Sequence, residues 1–217
     1  MRRRWYQIIM LFGSMVVLTG CSLFSFPGDR YVRAWMDAYY KEESDDYRTI
    51  TGISQKDTEK QYEEAVHQQA DAYLSYFGLD SISDEAQESL ESFVKMVYDY
   101  ASYDVTDVKR TENEQTVMVR IRPIAFYEFA SQEIDDYEQR FRNKTEDGAF
   151  LHSDETAYQS AYLEGLLEIY EKQLDKITYL DEKEYTIMLH KSGKQYVMDE
   201  EQIQAVDEAI LSFQKDN

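Results

Sequence analysis

The chain has 217 residues, with 43 Asp plus Glu against 23 Lys plus Arg. The net charge of -20 repels phosphate backbones, and no Lys/Arg run is long enough to neutralise them locally, so the composition argues against nucleic-acid binding. Apolar content of 43% with 19 Tyr, 10 Phe and 2 Trp excludes a disordered chain and fits one globular domain with a real core.

Arg2, Arg3 and Arg4 precede an apolar stretch over 8–18. That is the order and length of a secretory signal, and it falls short of the roughly 20 apolar residues a spanning helix needs. The stretch ends in Leu18-Thr19-Gly20-Cys21, which resembles the lipobox of bacterial lipoproteins. The resemblance implies a signal peptide at 1–20 and a Cys21 thiol that accepts a diacylglyceryl group. Cys21 is the only cysteine, so a chain lipidated there forms no disulfide. Cleavage before Cys21 would leave 197 residues, and 20 Lys plus Arg against 43 Asp plus Glu give a net charge of -23. Two or more acyl chains, at about 0.8 kcal/mol per buried CH₂, suffice for stable anchoring. Residues 21–29 then read as a lipidated cysteine and short tether, with Pro27 and Gly28 breaking regular structure, and 30–217 as a single domain.

Tyr31, Trp35, Ala38 and Tyr39 predict a first helix over 30–47. A second has Ser54 as N-cap, a stripe at Tyr62, Val66, Ala70, Tyr73 and Phe77, and Gly78 as its stop. A third, over 84–101, is capped by Ser83 and places Ala86, Leu90, Phe93, Val97 and Ala101 on one face. The period then changes to two. Residues 103–110 and 115–124 predict a hairpin around Glu112-Asn113-Glu114, with Val117, Val119 and Ile121 on one face and Met118, Arg120 and Arg122 on the other. Helical spacing resumes over 126–142 and breaks over 143–153. It returns over 154–177 in a stripe of Tyr158, Tyr162, Leu166, Ile169, Gln173 and Ile177. Tyr185, Ile187 and Leu189 alternate with Thr186, Met188 and His190, Ser192-Gly193 makes a turn, and 195–198 returns as a second hairpin. Asp199 caps a last helix carrying Ile203, Val206, Ile210 and Phe213. The order predicts an α+β fold: helices packed on an antiparallel sheet of two hairpins, with a helical insertion between them.

The lipobox stands beside three further segments: Tyr31-Val-Arg-Ala-Trp-Met-Asp-Ala-Tyr-Tyr40, Thr49-Ile-Thr-Gly-Ile-Ser54 and Lys191-Ser-Gly-Lys-Gln-Tyr-Val197. Together they resemble the uncharacterised lipoproteins of Gram-positive bacteria that carry a nuclear-transport-factor-2-like (cystatin-like) domain. The resemblance implies a cone of helices on a curved antiparallel sheet over most of residues 30–213, anchored on the extracytoplasmic face of the membrane. The helices between 126 and 177 depart from the simplest form of that fold as an insertion between strands, and none of the shared motifs is catalytic.

The residues themselves offer little chemistry. His67, His152 and His190 fall on different elements without metal-ligand spacing, and His67 sits in a polar stretch that reads as solvated. There is no Gly-x-Ser-x-Gly elbow, and acidic pairs such as Asp45/Asp46 and Asp135/Asp136 follow from abundance. No enzyme activity and no cofactor are expected. Asn143, Thr145, Asp147 and Asp154, with Gly148, match a calcium-loop spacing, although Asn at the first position and Asp at the last weaken it. The competing reading is a helix-helix loop in which Ser153 or Asp154 is an N-cap. Arg120 and Arg122, with Met188 and His190, suggest a cavity for a carboxylate or phosphate. The competing reading pairs the arginines with nearby acids on a solvated face. The sequence therefore predicts a non-enzymatic lipoprotein, held in the bilayer through acylated Cys21, that binds an envelope protein or a small ligand. A binding component of a transporter and an envelope hydrolase are the alternatives.

Overall fold

A computed structural model describes residues 26–111, 114–192 and 195–213; Cys21 and the segment before it lie outside this set. The elements are α1 Gly28–Tyr40, α2 Asp45–Thr51, α3 Gln55–Phe77, α4 Asp84–Tyr98, β1 Ser102–Arg110, β2 Glu114–Arg122 and β3 Ile124–Ala125. After them come α5 Ser131–Glu146, α6 Glu155–Lys172, a 3₁₀ turn at Leu174–Lys176, β4 Lys183–Ser192, β5 Gln195–Met198, α7 Glu200–Ile210 and β6 Leu211–Ser212. The fold is α+β, with an antiparallel sheet in the order β1-β2-β4-β5, so two hairpins are joined through β2 and β4.

Where the sequence reads as one body from residue 30, the chain divides into two compact units, each assembled from separate segments. Of the described residues, the first comprises those within 26–64, 101–123 and 180–211, and holds the four-stranded sheet. Alternation along β2 buries Val117, Val119 and Ile121 while Met118, Arg120 and Arg122 face the other way. Ile187 and Leu189 of β4 and Met198 of β5 extend the buried face; α1 and α7 contact it, contributing Tyr31, Trp35 and Met36, and Ile203, Val206 and Ile210. An extra residue in β1 between Thr106 and Val108 shifts the register against β2, a β-bulge.

The second unit comprises, of the described residues, 65–100, 124–179 and 212–213, and is built mainly of helices with an aromatic core. Phe126 stacks on Tyr170 with ring centroids 4.5 Å apart and meets Tyr73 edge-on at 5.1 Å, with Phe93 and Phe129 around them. Helix α6 buries Leu163, Leu166, Leu167 and Tyr170, so of the stripe expected at Tyr158, Tyr162, Leu166, Ile169, Gln173 and Ile177 only Leu166 is buried, and α5 buries Phe141.

Capping follows the sequence where a side chain can reach the first turn. Ser54 Oγ accepts from the Asp57 N–H (3.2 Å), Ser83 from Ala86 (3.2 Å) and Asp199 from Glu201 (3.0 Å). Gly78, at φ 71°, stops α3. Several boundaries differ from expectation: α4 ends at Tyr98, α6 at Lys172 and α7 at Ile210, each short of the expected end, and three others differ for a visible reason. The helix predicted over 30–47 is two helices, because the backbone turns at Glu42 (φ 59°), where the N–H groups of Lys41 and Glu43 both donate to Asp37 O. The helix predicted from 126 starts at Ser131, because buried Phe126 and Phe129 commit the preceding stretch to the core. Residues 26–29, expected in a tether, belong to the fold: Phe26 is buried and α1 begins at Gly28, despite Pro27. Proline is tolerated there because it sits at the N-cap, where no intrahelical donor is needed.

Candidate functional site

The outer face of the sheet carries the residues that the sequence singled out. Arg120 stands opposite Asp104 of β1 and Glu184 of β4, Arg122 opposite Ser102, and His190 opposite Glu114. Arg120 Nη2 donates to Asp104 Oδ2 at 3.0 Å, and Arg33 Nη2, from α1, donates to Asp104 Oδ1 at 2.7 Å and to Val105 O at 3.2 Å. One carboxylate therefore bridges two guanidinium groups. The hydrogen bond from Arg33 first, and then that from Arg120, hold the Asp104 carboxyl below the usual value for aspartate. Arg122 donates through Nε and Nη2 to Ser102 Oγ, at 3.1 and 2.9 Å.

His190 does not join this group. Its Nδ1 lies 3.2 Å from Glu114 Oε1. Glu114 is six residues along β2 from Arg120, roughly 20 Å of extended strand. The cavity reading of Arg120, Arg122 and His190 is thus corrected. Two of the three share one end of the face and the third sits at the other; Arg120 pairs with an acid as the competing reading has it, while Arg122 is held by the Ser102 hydroxyl. The signal for Asp104 was present in the sequence as an acid alternating on β1, but its partner Arg33 comes from a helix far away in the chain.

The calcium-loop reading is also corrected. Helix α5 runs through Asn143 and Thr145 to Glu146; Asn143 Oδ1 accepts from Gln139 Nε2 (2.9 Å), and Thr145 Oγ1 donates to Phe141 O (3.0 Å). Asp147 is the C-cap of α5 and Asp154 the N-cap of α6, its Oδ1 accepting from the Ala157 N–H at 2.8 Å. A helix cannot wrap its ligands round an ion, so the spacing has no loop to act in. Among the described residues no group of three or more His, Cys, Asp and Glu is placed to hold a metal ion.

His67, expected to be solvated, is exposed yet paired: its Nδ1 lies 2.6 Å from Glu91 Oε1, which also accepts from Gln87 Nε2 at 2.8 Å. Two surface clefts are lined by other residues. One, in the first unit, has about 210 Å³ and is lined by Glu42, Asp45, Arg48, Gln55, Glu59 and Tyr62 among others. Arg48 Nη1 donates to Asp45 (3.1 Å) and Gln55 to Glu59 (2.7 Å), so these four polar groups already answer one another. The other, of about 180 Å³ in the second unit, lies along α5 and α6 near Arg140 and Ile169.

No helix among the described residues is long and apolar enough to cross a membrane. No protein-family model matches the chain, and no curated protein matches it. Among solved structures it is similar to the candidate lipoprotein ycdA of Bacillus subtilis. The TM-score is 0.59 at 18% sequence identity, over 85% of this chain and 56% of that one. At that identity the likeness is one of fold, and it spans little more than half of the ycdA chain.

Proposed function

We propose that the protein is a bacterial lipoprotein, anchored through acylated Cys21 on the extracytoplasmic face of the membrane, whose folded part is a non-enzymatic binding module for an envelope protein. The observation that carries the anchoring is the ordered run of arginines, apolar segment and Leu18-Thr19-Gly20-Cys21, with no second cysteine in the chain. The shared fold with a candidate lipoprotein supports it. The nuclear-transport-factor-2-like assignment belongs to the same reading, and the four-stranded antiparallel sheet against α1 and α7 supports it.

A protein partner is favoured over a small anionic ligand because Arg120 and Arg122 are engaged by Asp104 and Ser102 and the third member of that set lies apart. The test is expression of the full chain in a Gram-positive host beside Cys21→Ala. The unsubstituted chain is expected in the membrane fraction with the mass of a diacylglyceryl-modified, cleaved protein, and the variant outside it. Identical fractionation and no added mass would sink the anchoring. Crosslinking on intact cells then reads the partner, and crosslinks to no protein above a Cys21→Ala background would count against a protein-binding role.

A further inference from the structure

We propose that the cleft of about 180 Å³ along α5 and α6, within the second unit, is a binding site for a small zwitterion, a free α-amino acid with an apolar side chain. This goes beyond the protein-binding role and does not depend on the lipid anchor.

Two helix faces make the cleft. Glu133, Asp136 and Arg140 stand at i, i+3 and i+7 on α5, and Ile169, Lys172 and Gln173 at i, i+3 and i+4 on α6 and its C-cap, so each trio shares one face. Two of the charged groups are already engaged: Lys172 Nζ donates to Glu168 Oε1 at 2.6 Å, and Glu133 lies 3.8 Å from Lys176. Asp136 and Arg140 are not. Both are exposed, and among the described residues neither side chain makes an ion pair or a hydrogen bond, although an acid four residues before a base is the favourable order for pairing on a helix. The cleft thus presents a free carboxylate and a free guanidinium from positions roughly 6 Å apart along one helix.

Gln173 adds a neutral polar group. Its Oε1 is buried without a hydrogen-bond partner, so the amide can turn toward a ligand N–H without breaking a bond. Half-buried Ile169, together with the methylene stems of Lys172 and Arg140, supplies apolar surface. A lone cation would meet Arg140 and a lone anion would meet Asp136, whereas a molecule carrying both charges has a partner for each. The volume lies below the roughly 300–1,000 Å³ of drug-sized sites, which fits an amino acid rather than a larger molecule.

The test titrates L-leucine into the full chain in detergent micelles and follows the Ile169 δ1 methyl by NMR, assigned through Ile169→Val. A saturable shift with a dissociation constant below about 5 mM is expected, with leucine amide, which lacks the carboxylate, and N-acetyl-leucine, which lacks the ammonium, each weaker by about tenfold or more. Arg140→Gln is expected to weaken leucine by about tenfold and to leave leucine amide unchanged, and Asp136→Asn to weaken leucine equally and to leave N-acetyl-leucine unchanged. No shift at Ile169 up to about 20 mM leucine overturns the site. Equal affinity for leucine and for its doubly blocked N-acetyl amide overturns it too, because that is the behaviour of a groove for a peptide segment. Unchanged leucine affinity in either variant overturns the role given to that residue. Where the remaining isoleucine methyls show that a variant has unfolded, the analogue series on the unsubstituted chain decides.

Discussion

Phe26 lies flat on Tyr196, with ring centroids 3.9 Å apart and planes 3° from parallel, and both rings are buried. A residue expected to lie in a tether is thus part of the core. Phe26→Ala should cost about 3–5 kcal/mol, the range for removing a buried aromatic. Urea unfolding of residues 22–217 by circular dichroism measures it, and a loss under about 1 kcal/mol would show that the segment does not pack.

Gly165 sits within α6 where helix propensity favours alanine by about 1 kcal/mol. A Cβ there would collide with the ring and hydroxyl of Tyr137, which donates to Tyr162 O at 2.9 Å. Gly165→Ala is therefore expected to destabilise by about 1–3 kcal/mol. In a Tyr137→Ala background the same change should stabilise, by up to about 1 kcal/mol. A double-mutant cycle in urea reads the reversal of sign.

Asp104 joins Arg33 and Arg120. Its carboxyl is held below 3.8, so the stability it adds is present above the ordinary aspartate range and is lost as pH falls through the lowered value. The side chain is half exposed, so that stability is under about 1 kcal/mol. Carboxyl NMR should find Asp104 titrating below 3.8, and Arg33→Ala should move its midpoint upward by more than Arg120→Ala does.

Burial pushes the Tyr47 phenol up to about 12 and also raises Tyr31, Tyr103 and Tyr170, with Asp37 accepting from Tyr103 at 2.7 Å. A folded value above the unfolded one means that stability is complete below pH 10 and is lost as pH rises from 10 toward 12. The loss is about 1.4 kcal/mol per pH unit for each phenol the fold keeps protonated. Tyrosinate absorbance and circular dichroism followed together should show these phenols ionising only as the chain unfolds.

Much of the architecture was legible in local pattern. The strict alternation at Val117, Val119 and Ile121, the Ser54, Ser83 and Asp199 caps, and the Gly78 stop depend on residues within a few positions of each other, so the sequence alone determines them. The α+β class and the two hairpins follow from the same short-range periods.

Only the tertiary structure decided what these elements bring together. Arg33 and Asp104 are 71 residues apart, and Phe26 and Tyr196 are 170 apart, so neither pair leaves a periodic signal. The apparent calcium spacing at Asn143 to Asp154 dissolved because helix α5 continues through Thr145, with core Phe141 holding its last turns. Arg120 and His190 share a sheet face by alternation, yet the register of β2 against β4 sets them at opposite ends of it. Alternation fixes which face a side chain takes; the pairing of distant strands and the burial of Phe26 fix what it meets there.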